Sequence, residues 1–234
     1  MSTSYRKWLP LALEGLPFII GFLVAAVIFF FLPHPAFTYL AVISFLLSLF
    51  CLNFFRDPNR VVPSDPLYLL SPGDGVVTEV TLEQTPYFSE PARVVKIFLS
   101  VFDVHIQRSP IAGAVTDTEY RMGKFLDARD PRAALENESH TFIIENERQR
   151  VAVKQVAGLI ARRIVPWARK GMSVGQGERI GLIRFGSQVD LFFHGSADVV
   201  VKPGDRVVGG MTVIAINKSL GAVSRPSEAA KSAT

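Results

Sequence analysis

Three points of this 234-residue chain carry side chains suited to proton-transfer or nucleophilic chemistry. Asp74 lies in the turn Ser71-Pro72-Gly73-Asp74-Gly75, His105 in the apolar run Phe98–Ile106, and Ser187 follows Gly186 inside the strand-like stretch Ile180–Phe193. A serine hydroxyl becomes a nucleophile once a base takes its proton, and histidine titrates closest to neutrality. Each residue also has a plainer reading. Aspartate suits turns because it tolerates their backbone angles. A histidine in so apolar a run needs hydrogen-bond partners for structural reasons alone. The dipeptide Gly-Ser, which recurs at Gly195-Ser196, can mark a strand bulge. Taken one at a time, none of the three is decisive.

Other chemistries have no residue set to support them. The chain has no Gly-x-x-x-x-Gly-Lys-Ser/Thr phosphate loop and no His-Glu-x-x-His. Its single cysteine, Cys51, excludes an internal disulfide framework and a multi-cysteine metal site, so no metal is expected. The histidines are His34, His105, His140 and His194.

The elements that must position these residues are short strands between glycine and proline turns. Val76–Val80, Arg93–His105, Val151–Val156, Arg179–Phe185, Val189–Phe193 and Val213–Ile216 are the strand candidates. Pro203-Gly204-Asp205 reads as a tight turn between Asp198–Lys202 and Arg206–Val208. Two short helices are expected: Arg129–Asn137, with Asp130 as N-cap and Pro131 in the first turn, and Ala157–Val165. The opening Ser71–Val77 and the closing stretch Val201–Ile216 resemble the two halves of a biotinyl/lipoyl-type barrel-sandwich domain. The expected fold is mainly β: a barrel-sandwich-like β domain with a few short helices, preceded by an N-terminal transmembrane helical hairpin.

That hairpin is read from residues 1–55. From Gly15 to Phe55 there is no Asp, Glu, Lys or Arg. Pro33-His34-Pro35 divides the stretch into apolar runs at 16–32 and 36–55, of 17 and 20 residues. A helix of about 20 residues crosses a hydrocarbon core of roughly 30 Å. Proline breaks helices, so Pro-His-Pro supplies the turn, and His34 is assigned to it. No small-x-small cleavage site separates the runs, which argues against a removed signal peptide. Arg6 and Lys7 before the hairpin, and Arg56 and Arg60 after it, point both ends to the cytoplasm. The remainder, 56–234, is then a catalytic β domain facing the cytoplasm from the cell (inner) membrane. No candidate catalytic residue precedes Arg56, so removing residues 1–55 is expected to leave the chemistry intact.

The net charge of +4 is modest: Arg6, Lys7 and Glu14 contribute +1, and residues 56–234 the other +3. It gives no nucleic-acid footprint and suits a protein lying on an anionic lipid surface.

The segments Asn53–Arg60, Ser71–Val76, Val101–Gly113, Gln155–Val165, Arg184–Ser187 and Lys202–Ile216, in that order, resemble the short form of phosphatidylserine decarboxylase with two membrane segments. The resemblance runs from about residue 53 to residue 217. It implies self-cleavage between Gly186 and Ser187, into chains 1–186 and 187–234, driven by Asp74, His105 and Ser187. Ser187 would attack the Gly186 carbonyl with His105 as base and Asp74 as its orienter. The residue left at 187 becomes a pyruvoyl group, the cofactor at which a Schiff base with the substrate amine forms. Its carbonyl serves as electron sink for the carbanion left by CO2, as pyridoxal phosphate does elsewhere. His105 is then the nearest candidate to protonate Cα. The implied partners are phosphatidylserine and the membrane, and the sequence is compatible with homo-oligomers. Some members of that family carry a second histidine three residues before the catalytic one; here that position is Phe102. Arg56, Arg60 and Arg108 are candidate phosphate partners, each equally readable as an ordinary charge. Two rival classes use the same residues otherwise: a membrane-tethered serine peptidase, which stays one chain, and a carrier modified near Lys202, where the usual Met-Lys-Met is missing.

Overall fold

The computed structural model describes residues 10–124, 136–158, 163–184 and 187–217. Two helices come first, α1 (Leu16–Phe30) and α2 (Pro35–Phe54), each with proline in its first turn, where a missing N–H costs nothing. The His34 ring caps α2 by accepting from the Ala36 amide at 3.2 Å. The helices meet through small residues: Ala41, Ser44, Ser48 and Cys51 are buried along α2, which ends on the buried Phe54, and Ser48 Oγ donates to the Ile19 carbonyl at 2.9 Å. Close approach through small side chains is how helices associate in lipid. Most of their other apolar side chains point outward, and both segments are long and apolar enough to cross a membrane.

The rest is mainly β. The strands are β1 (Tyr68–Leu70), β2 (Gly75–Glu83), β3 (Ala92–Leu99), β4 (Ile106–Arg108), β5 (Gly113–Arg121), β6 (Ser139–Glu145) and β7 (Arg150–Ala157). They continue as β8 (Ile164–Pro166), β9 (Ser173–Val174), β10 (Arg179–Ile183), β11 (Ser187–His194), β12 (Asp198–Val199), β13 (Arg206–Val207) and β14 (Val213–Ile216). One large sheet has the order β13-β2-β3-β11-β7-β6-β5-β9; two small ones are β1-β14-β12 and β4-β10-β8. Alternation sorts the large sheet's faces. Val95, Ile97 and Leu99 on β3, Val189, Leu191 and Phe193 on β11, and Val151 and Val153 on β7 enter the main core. The opposite face carries Asp190 directly between Lys96 and Lys154, and burial pushes the Asp190 carboxyl up to about 6.

The two segments likened to barrel-sandwich halves do meet. Arg206 and Val207 pair with Val76 and Gly75, β1 pairs with β14, and the Ser71 amide donates to the Thr212 carbonyl. The strands expected at Arg179–Phe185 and Val189–Phe193 form as β10 and β11, in two different sheets, with Ser187 opening the second. Two local expectations change. The run Arg93–His105 is not one strand: β3 ends at Leu99, and a turn at Ser100–Asp103 redirects the chain. The helix expected at Ala157–Val165 is strand at both ends: Ala157 closes β7, while Ile164 and Val165 pair with Ile183 and Leu182. Strand partners outweigh a weak local helical pattern there. Residues 159–162, Arg6, Lys7 and most of the helix expected at Arg129–Asn137 lie outside the described residues.

Packing crosses the boundary drawn at residue 55. Phe54 and Phe55 are fully buried in a cluster with Val104, Ile106 and Leu182, and the Ala12 amide donates to the Phe55 carbonyl at 2.8 Å. The foot of the hairpin is thus part of the β domain's interior.

Candidate active site

The topology brings the three candidate residues to one end of the large sheet. Ser187 opens β11 opposite Leu99 on one side and Ala157 on the other, where β3 and β7 end. Asp74 immediately precedes β2, whose Val76 pairs with Phe98. Gly75 is needed here: a Cβ would lie 2.2 Å from the Phe98 carbonyl oxygen. His105 follows the turn after β3, and its carbonyl accepts from the Ile183 amide at 3.1 Å, four residues before Ser187. Gly186 lies outside the described residues.

The turn holding His105 is fastened by Asp103. Its carboxylate accepts from the Ser100 amide at 2.8 Å, from Ser100 Oγ at 2.7 Å and from Arg206. The Asp103 main-chain carbonyl then lies 3.0 Å from His105 Nδ1. A carbonyl can only accept, so Nδ1 carries the hydrogen and the neutral ring presents Nε2 as its proton acceptor. The ring is fully buried, with its centroid 4.2 Å from that of Phe54, the last residue of α2. Burial, helped by the nearby Arg56 charge, pushes its pKa down to about 4 against the opposing pull of Asp103. His105 is therefore neutral at pH 7.

Asp74 is engaged elsewhere. One oxygen accepts from Arg60 Nη2 at 2.8 Å and the other from the Gly209 amide at 2.8 Å. The contact that orients the imidazole comes from the Asp103 backbone. Beside Asp74 lies a second buried ionic group. Asp57 accepts from Arg179 Nε at 2.8 Å and from Arg108 Nη2 at 3.3 Å, and Arg108 also donates to the carbonyls of Gly177 and Pro58. Burial and the neighbouring Arg179 draw the Arg108 pKa down to about 10, so it stays charged. Two of the three arginines suggested as phosphate partners, Arg60 and Arg108, are thus paired with carboxylates. Arg56 instead donates to the carbonyls of Asn53 and Phe102, both at 2.7 Å.

Sequence reasoning missed a polar cluster on the core side of the sheet. Gln155 stands directly opposite Val189, two residues beyond Ser187, and opposite His140 on its other side. Gln155 Nε2 donates to Gln107 Oε1 at 2.7 Å. Gln107 Nε2, Gln155 Oε1 and His140 Nδ1 are buried and unpartnered, and burial pulls the His140 pKa down to about 4. Its only sequence signal is a glutamine in step with the core-facing Val151 and Val153 of its strand.

A mainly β domain, footed on a hairpin of two helices apolar enough to cross a membrane and holding a neutral buried histidine beside a strand junction, defines the class of protein. The phosphatidylserine decarboxylase family model matches residues 47–215. Over 210 residues the chain is 45% identical to a phosphatidylserine decarboxylase proenzyme of Geobacter metallireducens, covering 88% of this chain and 96% of that protein. A proenzyme of the same description from Beijerinckia indica is 40% identical over 219 residues, covering 92% and 93%. The chain belongs to the phosphatidylserine decarboxylase family.

Proposed function

We propose that this chain is a proenzyme that cuts itself between Gly186 and Ser187 and then decarboxylates phosphatidylserine to phosphatidylethanolamine. The observation that carries the reading is the state of His105 within a member of this family: neutral, buried, and tied through its carbonyl to the strand leading to Ser187. A neutral imidazole, with one ring nitrogen unprotonated, is the kind of base a serine nucleophile requires.

In this reading His105 Nε2 takes the proton from Ser187 Oγ as that oxygen bonds to the Gly186 carbonyl carbon. The amide C–N bond breaks, its nitrogen gains a proton, and an ester joins the two halves. Loss of the Ser187 Cα proton and cleavage of Cβ–Oγ release the Gly186 carboxylate and leave dehydroalanine at 187. Water then replaces the nitrogen, which departs as ammonia, to give the pyruvoyl group. Gln155, facing Val189 two residues along β11, and its partner Gln107 keep a buried Oε1 and a buried Nε2 without a hydrogen bond, atoms that fit a small polar carbonyl group. Once formed, that carbonyl supplies an electron sink for the charge left at Cα. His105 stays within the site to hold or return a proton there. Asp74 belongs to the site through its Arg60 ion pair and its hold on Gly209, which stiffen the turn entering β2.

Arg6, Lys7, Arg56 and Arg60 argue for a cytoplasmic site at the cell (inner) membrane. A lipid substrate then reaches it without leaving the bilayer. The test is mass spectrometry of purified protein, with product analysis on phosphatidylserine. Chains of 186 and 48 residues are expected, the shorter blocked at its N-terminus, with phosphatidylethanolamine as product. Ser187→Ala and His105→Ala should stay uncut and inactive. A single full-length band in an active preparation refutes the reading.

A further inference from the structure

We propose that Arg56 seats the phosphodiester of the lipid substrate, beside the imidazole that serves its amino-acid head; this rests on the decarboxylase reading above. Three arginines near the site could bind phosphate, and the structure separates them. Arg60 is paired with Asp74, and Arg108, sharing Asp57 with Arg179, is buried with its Nη atoms engaged by Asp57, Gly177 and Pro58. Among the described residues, Arg56 is held only through main-chain carbonyls, Nη1 to Asn53 and Nη2 to Phe102. Carbonyls fix the direction of a guanidinium without cancelling its charge, and the fork keeps further N–H donors for an anion.

Its position also fits. Arg56 lies two residues past the end of α2, the level at which a lipid head group leaves the hydrocarbon. The neighbouring Phe102 side chain is 68% exposed, an apolar surface at the same level. Arg56 sits on the carbonyl of Phe102 and His105 on that of Asp103, so guanidinium and imidazole rest on consecutive peptide units. Consecutive units are about 3.8 Å apart. In phosphatidylserine the phosphorus is three single bonds from Cα, a reach of roughly 4 Å by ordinary bond lengths. One lipid can therefore present its phosphate to Arg56 and its Cα to His105.

A purely structural arginine is the competing explanation, since a cation at a helix C-terminus is stabilising by itself. The experiment uses the processed full-length enzyme in phosphate-free neutral detergent, normalised to the fraction cut. It compares short-chain phosphatidylserine with a neutral serine ester of matched chain length in wild type, Arg56→Gln and Arg56→Lys. A charged hydrogen bond of the usual strength corresponds to about a tenfold to hundredfold change. Arg56→Gln should lower the ratio of kcat/KM for phospholipid to that for ester by that factor, and Arg56→Lys by less. Inhibition by short-chain phosphatidylethanolamine should weaken in parallel, which reads binding alone. An unchanged ratio, an equal loss on both substrates, or a loss seen only in phospholipid vesicles overturns the proposal, the last by assigning Arg56 to bulk lipid. A wild type that is uncut and inactive instead defeats the decarboxylase reading itself.

Discussion

Phe54→Ala tests whether the membrane helix tunes the histidine. The Phe54 ring is fully buried and lies 4.2 Å, centroid to centroid, from His105, whose pKa is pushed down to about 4 chiefly by burial. Removing the ring admits water to the imidazole and lets its pKa climb toward the ordinary 6.5. The full difference is worth about 3 kcal/mol. At pH 5 the neutral fraction of wild-type His105 is roughly nine-tenths, and full relief would cut it to a few hundredths. Self-cleavage at pH 5 should therefore slow by a factor between roughly two, for half relief, and thirty, while the two proteins converge above pH 7.

The assay is a time course of precursor cleavage on denaturing gels, using freshly synthesised protein from pH 4.5 to 8. Truncating a buried phenylalanine also costs about 3–5 kcal/mol of stability, so each preparation is checked by circular dichroism. Phe54→Leu is the second variant: it keeps apolar cover and should keep the low acid limb. A wild-type limb near pH 6.5, or the same limb in wild type and a folded Phe54→Ala, refutes the reasoning.

Asp57→Asn leaves Arg108 and Arg179 buried without their carboxylate, a loss of about 3–5 kcal/mol that thermal unfolding of the uncut Ser187→Ala protein would register. The same protein should lose stability as pH falls from 6.5 toward 4. There the unfolded chain binds protons that folded His105 and His140 refuse, at up to about 1.4 kcal/mol per pH unit for each. Asp190, raised to about 6, binds its proton earlier in the folded state and offsets part of the slope, so His140→Gln should flatten it further; a melting temperature unchanged between pH 7 and 5 contradicts this. A chain starting at Arg56 loses both Phe54 and Phe55 from the interior, so it should fail to cleave itself or to fold, by gel and circular dichroism; normal processing would restore the view of residues 1–55 as a detachable anchor.

What could be read in the sequence was local. Pro203-Gly204-Asp205 and Ser71–Gly75 announce turns through their own backbone preferences, and the two segments they flank pair with each other. The turn at Ser100–Asp103 was hidden because its neighbours stay apolar on both sides. Val101 and Phe102 within the turn are as apolar as the strand before it, although Phe102 is exposed. Its signal lies in Ser100 and Asp103 themselves, whose side chains fasten the bend. The group that orients His105 is a backbone carbonyl, and a carbonyl has no letter in a sequence. Asp57 meets Arg108 and Arg179 across 51 and 122 positions, a distance no local pattern spans.

The hairpin's foot bears directly on whether anchor and chemistry are separable. Composition marks Leu16–Phe55 as apolar throughout, and nothing in that run distinguishes a phenylalanine facing lipid from one facing a histidine. The fold makes the distinction: Phe31, near the far turn, is 78% exposed, whereas Phe54 and Phe55 are enclosed by Val104, Ile106 and Leu182. The desolvation that keeps His105 neutral is therefore supplied in part by a membrane helix. Arg56, directly after those phenylalanines, brings a cation to the same histidine. In the proposed reading an enzyme whose substrate is a lipid gains from this arrangement, because a helix apolar enough to cross a membrane also covers the imidazole proposed to act as base. Separating the two would require a different side chain to cover the imidazole, and among the described residues Phe54 is the ring that does so.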